Sequence, residues 1–502
     1  MVEPVFEKIN LTKRIPQIQD QIKIECKTNV TVGEVQNVIC ISPFATVEKG
    51  EASAGKVKYS GKALFYICYV DASGEIKKCE CGYEIKGELL DPNLLEDSKV
   101  SLSINAQKVE KDLSSSYLEV KAILEITAKI EQNQTKGALI GGDKIFADEC
   151  EITSVSGLGL CYGTYPMEEE FELNFPVQEV LFHKAEGVIT AVQSGMGCII
   201  VDGQVLLSLV LLQKNDKRDI IKENKILPFR MEIECEDAMP NMQAVAFVSE
   251  KSANTQVEVD FENGTSLVRA NVTLQFEGQA YVNTTQAIAL DAFCTENEID
   301  IVKEDCEQYS LLEARSYSFN VNTRAGTEEI PLGAVIASVC AENVYISQTA
   351  SNEKGLEITG VYSATVYLKD SDGKLFSRQL VAPFEKRIDG EFNQCTEFEI
   401  KARAFSGKAK ILSATEMELD GQVYLTVYPL EKCKVRFIND LKILGEKQEN
   451  PCAISVYLGL AGEECYSLAK RLNVCPTTLI ETNKDLQFPL SGTERIVVYR
   501  QK

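Results

Sequence analysis

Ser467-Leu468-Ala469-Lys470 fits the Ser-x-x-Lys pattern of the serine acyl-enzymes. Those enzymes carry Ser-Asp-Asn and Lys-Thr-Gly partners around a large cleft. The chain has neither, so the four residues read as ordinary helix surface. His183 is the sole histidine, so any Ser/His/Asp or Cys/His device has one possible base. It lies in EVLFHKAEG with no motif around it and reads as an edge or surface residue. Cys79 and Cys81 point to one side if they lie on a strand, where they offer two thiolates to zinc, with Cys68 as a conceivable third. There is no Cys-x-x-Cys and no nearby histidine, which favours packed thiols over a metal. Gly157–Gly163, GLGLCYG, is spaced wrongly for a dinucleotide loop and precedes no helix, so it cannot set a helix N-terminus on a pyrophosphate. The acids Glu168–Glu170 read as a solvated face. These readings imply a chain that is not an enzyme and carries no cofactor and no metal.

The elements that would position such residues are bounded by composition. The 502 residues hold 75 acidic against 52 basic side chains, a net charge of −23. Phosphate contacts need Lys or Arg, so nucleic acid is excluded as a partner and anionic membrane surfaces are disfavoured. The longest apolar stretch, GCIIVDGQVLLSLVLL, is broken by Asp202 and Gly203. It falls short of the ~18 residues a span needs, which argues against membrane insertion. The opening MVEPVFEKINLTKRIP shows no secretory pattern. Seventeen cysteines, an odd number and several within strand-like runs, fit free thiols in a reducing, cytoplasmic compartment.

Runs of alternating character, such as SYLEVKAILEITAKI and SLVRANVTLQFEGQAYV, read as half-buried strands up to about residue 435. They recur. The segments from Val57, Cys198 and Leu356 each present a strand, a glycine (Gly61, Gly203, Gly360), a second strand, a polar turn and a third strand. DKIFADECEIT from Asp143 is echoed by LDAFCTENEIDI from Leu290. The expected architecture is mainly β: three tandem β-sandwich-like repeats at 1–142, 143–289 and 290–436, a linker at 437–452 closed by Asn450-Pro451, and a small α+β module at 453–502. Repeated β-modules without catalytic punctuation suit spacers, docking surfaces and self-association.

The C-terminal module reads as strand, helix, helix, strand (βααβ). ISVYLGL is the first strand. Leu468, Ala469 and Leu472 share one helix face, and Asn473 stands where a left-handed cap is wanted. Pro476 follows Cys475 at the first position of the second helix, and ERIVVYR returns as a strand. Tyr457, Gly462, Leu468-Ala469, Asn473-Val474, Leu479, Asn483, Leu486, Gly492 and Ile496 give this unit a pattern that resembles the LysM domain. It departs from that pattern at Gly462-Glu463-Glu464, where Gly-Asp-Thr is usual, and at Val498-Tyr499.

With three β-rich repeats ahead of it, the chain is similar to the SPOCS–LysM proteins of spore-forming clostridia. The resemblance implies a groove with Gly462, Glu463, Glu464 and Cys465 on one side and Thr482, Asn483, Asp485 and Phe488 on the other. Tyr466, Leu479 and Phe488 are the expected apolar centre. The resemblance further implies a place in the mother cell at the forespore surface, and a spore coat morphogenetic ATPase as the partner. Peptidoglycan is the alternative ligand. The acids in the groove and the absence of tryptophan, the broadest platform for a sugar ring, count against it.

Overall fold

The computed structural model describes residues 3–215, 219–260, 262–352, 354–390, 392, 396–448 and 452–499. The alternating runs form long antiparallel strands, and the fold is mainly β. β1 (Pro4–Thr31) is followed by β2 (Val35–Ser53), β3 (Lys56–Asp71), β4 (Ile76–Leu90), β5 (Lys99–Asp112) and β6 (Tyr117–Gly142). β3 lies between β2 and β4 in one sheet, while β1 and β5 pair with β6 in another.

The same pairing occurs along the next stretch, through β7 (Ile145–Gly157), β8 (Cys161–Leu173), β9 (Val177–Ser194), β10 (Cys198–Gln213), β11 (Ile220–Glu234), β12 (Gln243–Asp260) and β13 (Thr265–Cys294). β10 is flanked by β9 and β11, and β13 receives β7, β8 and β12. It occurs again through β14 (Asn297–Leu311), β15 (Arg315–Gly326), β16 (Val335–Asn352), β17 (Gly355–Lys369), β18 (Leu375–Asp389), β19 (Thr396–Ser413) and β20 (Glu416–Glu446). The first strand is interrupted midway each time. In β1 the ladder shifts register between Ile15 and Ile18, around Pro16, which has no N–H to give it. In the two later stretches the strand breaks instead, giving β7/β8 and β14/β15.

Gly61, Gly203 and Gly360 meet one steric demand. A Cβ would lie 2.3 Å from Thr46 O at the first, 2.4 Å from Val188 O at the second and 2.7 Å from Tyr345 O at the third. Each crowding carbonyl belongs to the neighbouring strand close to a bulge in the ladder.

The expected boundaries need correction. β13 runs to Cys294, past the division at 289, and β20 runs to Glu446, past that at 436. Residues 437–446, expected as linker, are strand because they pair with the first half of β14, and Ile438 is fully buried there. The Asn450-Pro451 stop lies outside the described residues.

Three separate cores fill the spaces between paired sheets, one in each stretch. A fourth cluster joins them: Cys68 and Val70 from β3, Val210 and Leu212 from β10, and Tyr367 from β17 meet around Ile39 and Cys340. This explains why the second half of β10 is apolar on both faces. Val205, Leu207, Leu209 and Leu211 face the local core, whereas Val210 and Leu212 face the junction, so both faces are covered. Among the described residues no helix is long and apolar enough to cross a membrane. Beside the junction lies a chamber of about 2310 Å³, bounded by strands from all three stretches.

Candidate functional site

The C-terminal module consists of β21 (Ile454–Leu458), α1 (Cys465–Leu472), α2 (Pro476–Thr482) and β22 (Arg495–Tyr499). Asn473 closes α1 with φ 51°, and Pro476 opens α2 after Cys475. β21 and β22 pair antiparallel. Their inner face, with Tyr457, Ile496 and Val498, meets Leu468, Ala469, Leu472 and Leu479 from the helices.

This core continues into the body. The Tyr466 ring stands edge-on to Phe293 at 5.6 Å, and Phe293 in turn packs on Phe146 at 5.5 Å. Lys470 pairs with Asp291. Lys447 Nζ donates to Cys294 O and Asn473 Oδ1, both at 2.8 Å, and Asn473 Nδ2 donates to Thr295 O at 2.8 Å. The face of α1 and its C-cap is therefore seated against the end of β13.

Most of the expected groove residues serve the module itself. Gly462 turns the chain with φ +78° and donates its N–H to Leu490 O at 2.7 Å. Glu463 is 8% exposed and accepts from Arg471 Nε at 2.7 Å, Arg471 Nη2 at 2.8 Å and the Leu460 N–H at 3.1 Å. The bonds from Arg471 hold its carboxyl below the usual range. Cys465 is half-buried, and burial, with Glu464 nearby, pushes its thiol up. Leu479 is 2% exposed, inside the core. Thr482 Oγ1 donates to Thr478 O at 2.7 Å. Asn483 ties α2 to β22: its Nδ2 donates to Leu479 O and Val497 O, and its Oδ1 accepts the Val497 N–H at 2.7 Å. Glu464 and Asp485 are exposed, and Phe488 is half-buried against the core.

An apolar centre of Tyr466, Leu479 and Phe488 is thus corrected. Leu479 is in the core, Tyr466 packs against Phe293, and Phe488 is half-buried against the core. Of the expected acidic lining, Glu463 is paired with Arg471, while Glu464 and Asp485 are exposed.

The open apolar surface lies elsewhere. Ile454, Val456 and Leu458 alternate along the outer face of β21, opposite Tyr499, Val497 and Arg495 on β22. Ile454, Val456, Leu458, Leu460 and Tyr499 are 55–65% exposed. A two-stranded sheet with helices on one side leaves its other face uncovered, and here that face is apolar. The sequence carried a signal: ISVYLGL is apolar at every second position, while the intervening Tyr457 also supplies a core side chain.

Elsewhere the chemistry-bearing residues are dispersed. His183 sits half-buried on β9 beside Tyr66 at 5.6 Å, and burial, with Lys78 nearby, lowers its pKa. Cys79 pairs across from Ile67 and Cys81 from Phe65, so Cys68 points to the opposite side of the sheet and is no third ligand. Among the described residues no group of three His, Cys, Asp or Glu side chains is placed to hold a metal. Gly157–Gly163 joins two strands, and Ser467 and Lys470 lie on exposed turns of α1. No protein-family model, curated protein or solved structure matches the chain.

Proposed function

We propose that the protein is a non-enzymatic spore-envelope assembly protein that docks through its C-terminal module onto a coat morphogenetic ATPase, at the forespore surface in the mother cell. The observation that carries this reading is the outer face of the β21–β22 sheet, where Ile454, Val456, Leu458 and Tyr499 are each more than half exposed, as is Leu460 just beyond β21. Contiguous apolar surface of this kind marks interaction sites. Aliphatic residues around Tyr499, with Arg495 at the rim, make the sort of centre on which binding energy concentrates. The partner and the place come from the resemblance to the SPOCS–LysM family. The recurring strand pairing and the three crowded glycines support reading the body as three SPOCS-like repeats, and the strand–helix–helix–strand order supports a LysM-like module. In this reading the body acts as a spacer and self-associating scaffold.

The test is capture of the full chain, and of a chain ending before residue 450, by an immobilised coat morphogenetic ATPase, beside titration of both with N-acetylglucosamine oligomers. Capture that is lost on truncation supports the proposal. Capture that survives truncation moves docking to the body, and saturable sugar binding in place of capture supports peptidoglycan.

A further inference from the structure

Cys40 on β2 and Cys68 on β3 are directly opposed partners in the antiparallel ladder. Opposed residues point to the same side of a sheet, with Cα atoms about 4.5–5.5 Å apart. That separation lies inside the ~4.4–6.8 Å that a disulfide spans. Both side chains are thiols here, close enough to share a hydrogen bond.

The pair stands at the joint between the stretches. Seven residues beyond Gly61, Gly203 and Gly360 come Cys68, Val210 and Tyr367, and all three are buried in the shared cluster. Across the ladder from them lie Cys40, Phe182 and Ser338. Packing at this position is met by valine beside phenylalanine in the second stretch and by tyrosine beside serine in the third. Buried thiols serve elsewhere as small apolar groups, but the first stretch sets two of them face to face. β2 also carries the seam with the third stretch. Asn37 Nδ2 donates to Leu375 O at 3.4 Å, and Ser377 Oγ donates to Ile39 O.

The two thiols differ in access. Cys68 is 2% exposed, whereas Cys40 is half-buried and lines the chamber. A small disulfide entering that space therefore meets Cys40 first. At about 2310 Å³ the chamber exceeds the roughly 300–1,000 Å³ of ordinary ligand pockets, so a tripeptide disulfide has room. The hydrogen bond with Cys40, then burial, holds the Cys68 thiol well above its usual range. Such a thiol exchanges slowly, and its disulfide lacks the stabilised thiolate product that makes a bond easy to reduce.

We propose that Cys40 and Cys68 are a thiol–disulfide modification site that fastens β2 to β3 where the first and third stretches meet. The Cys40 thiolate attacks one sulfur of glutathione disulfide. A bond from Cys40 to glutathione forms, the S–S bond of the reagent breaks, and one glutathione leaves as its thiol with the proton that Cys40 lost. The Cys68 thiolate then displaces the second glutathione in the same way. Two protein thiols are oxidised to one disulfide, and one glutathione disulfide is reduced to two thiols.

The test exposes the reduced full chain to glutathione disulfide at about pH 8 without denaturant, then quenches with acid, alkylates and maps peptides without reduction. The first cross-link is expected to be Cys40–Cys68, at least about tenfold more abundant than any other cysteine pair and reversed by dithiothreitol. Amide exchange over residues 37–41 should slow at least about threefold in the cross-linked chain. Cys68→Ser should stop at a glutathione adduct on Cys40. Cys40→Ser should leave Cys68 unmodified, because Cys68 does not line the chamber. Mapping of the wild-type chain decides the matter even if a variant does not fold. No cross-link without denaturant, a first cross-link from Cys40 to another thiol such as Cys340 in the same cluster, modification of Cys68 in Cys40→Ser, or exchange unaltered by the bond would overturn the assignment.

Discussion

Tyr466 and Phe293 stand edge to face, 5.6 Å apart, and this contact joins the C-terminal module to the last strand of the second stretch. A side chain expected at the centre of a ligand groove is instead part of an intramolecular joint. The apolar face of the module that stays exposed is the outer side of the β21–β22 sheet.

Tyr466→Ala should loosen the joint while leaving the outer face of the β21–β22 sheet intact. An edge-to-face pair contributes about 0.5–1.5 kcal/mol beyond burial. Amide exchange across residues 454–499 should accelerate, and partner affinity should stay within a few-fold of wild type. A large loss of affinity together with unchanged exchange would return Tyr466 to the binding surface.

Glu463 and Arg471 set an acid limit on the module. The folded-state pKa of Glu463 is depressed, so the pair's contribution is present above the ordinary carboxylate range and is lost as pH falls through the lowered value. Glu463→Gln should cost about 1–3 kcal/mol at pH 7 and remove that part of the acid sensitivity. Melts followed between pH 7 and pH 3 check both effects, and a variant as stable as wild type at pH 7 would contradict the role.

Glu250 titrates in the opposite sense. Its folded-state pKa is raised, to about 8. Between the unfolded value and about 8, folding takes up a proton, so stability falls as pH rises through that window and levels off above it. Glu250→Gln should flatten this slope and be more stable than wild type at pH 8, by about 1–3 kcal/mol. Urea melts from pH 5 to pH 8.5 check it, and a slope that survives the substitution would place the coupling elsewhere.

Gly203 and Gly360 should resist substitution while Gly33 tolerates it. A methyl at Gly203 would press on Val188 O and on the Phe229 ring, both at 2.4 Å, and one at Gly360 on Tyr345 O. Gly203→Ala and Gly360→Ala should each cost about 1–3 kcal/mol. Gly33→Ala, with nothing within 4 Å, should be close to neutral. Equal melting of all three variants would remove the steric explanation of these glycines.

Those glycines also show what was legible beforehand. Period-two alternation located the strands, and Gly61, Gly203 and Gly360 could be aligned by eye because one local demand recurs. The apolar run on β10 read as buried strand because both of its faces are covered. Boundaries were not legible at residues 437–446, because their strand character depends on pairing with β14, more than a hundred residues earlier. The contact of Tyr466 with Phe293 was not legible, because helix spacing gives the face that Tyr466 occupies but not what lies against it. Arg471 was missed because nothing in an isolated Glu463-Glu464 pair names its partner. The chamber was not legible, since its walls come from strands far apart in the chain.

The docking face itself is tested by affinity of the full chain for a coat morphogenetic ATPase after Val456→Glu with Leu458→Glu. Both side chains are more than 60% exposed, so the fold should melt as wild type does. The expected result is affinity reduced by at least a hundredfold, against little change for Glu464→Ala with Asp485→Ala. Unaltered affinity in the Val456→Glu, Leu458→Glu variant would contradict docking through this face.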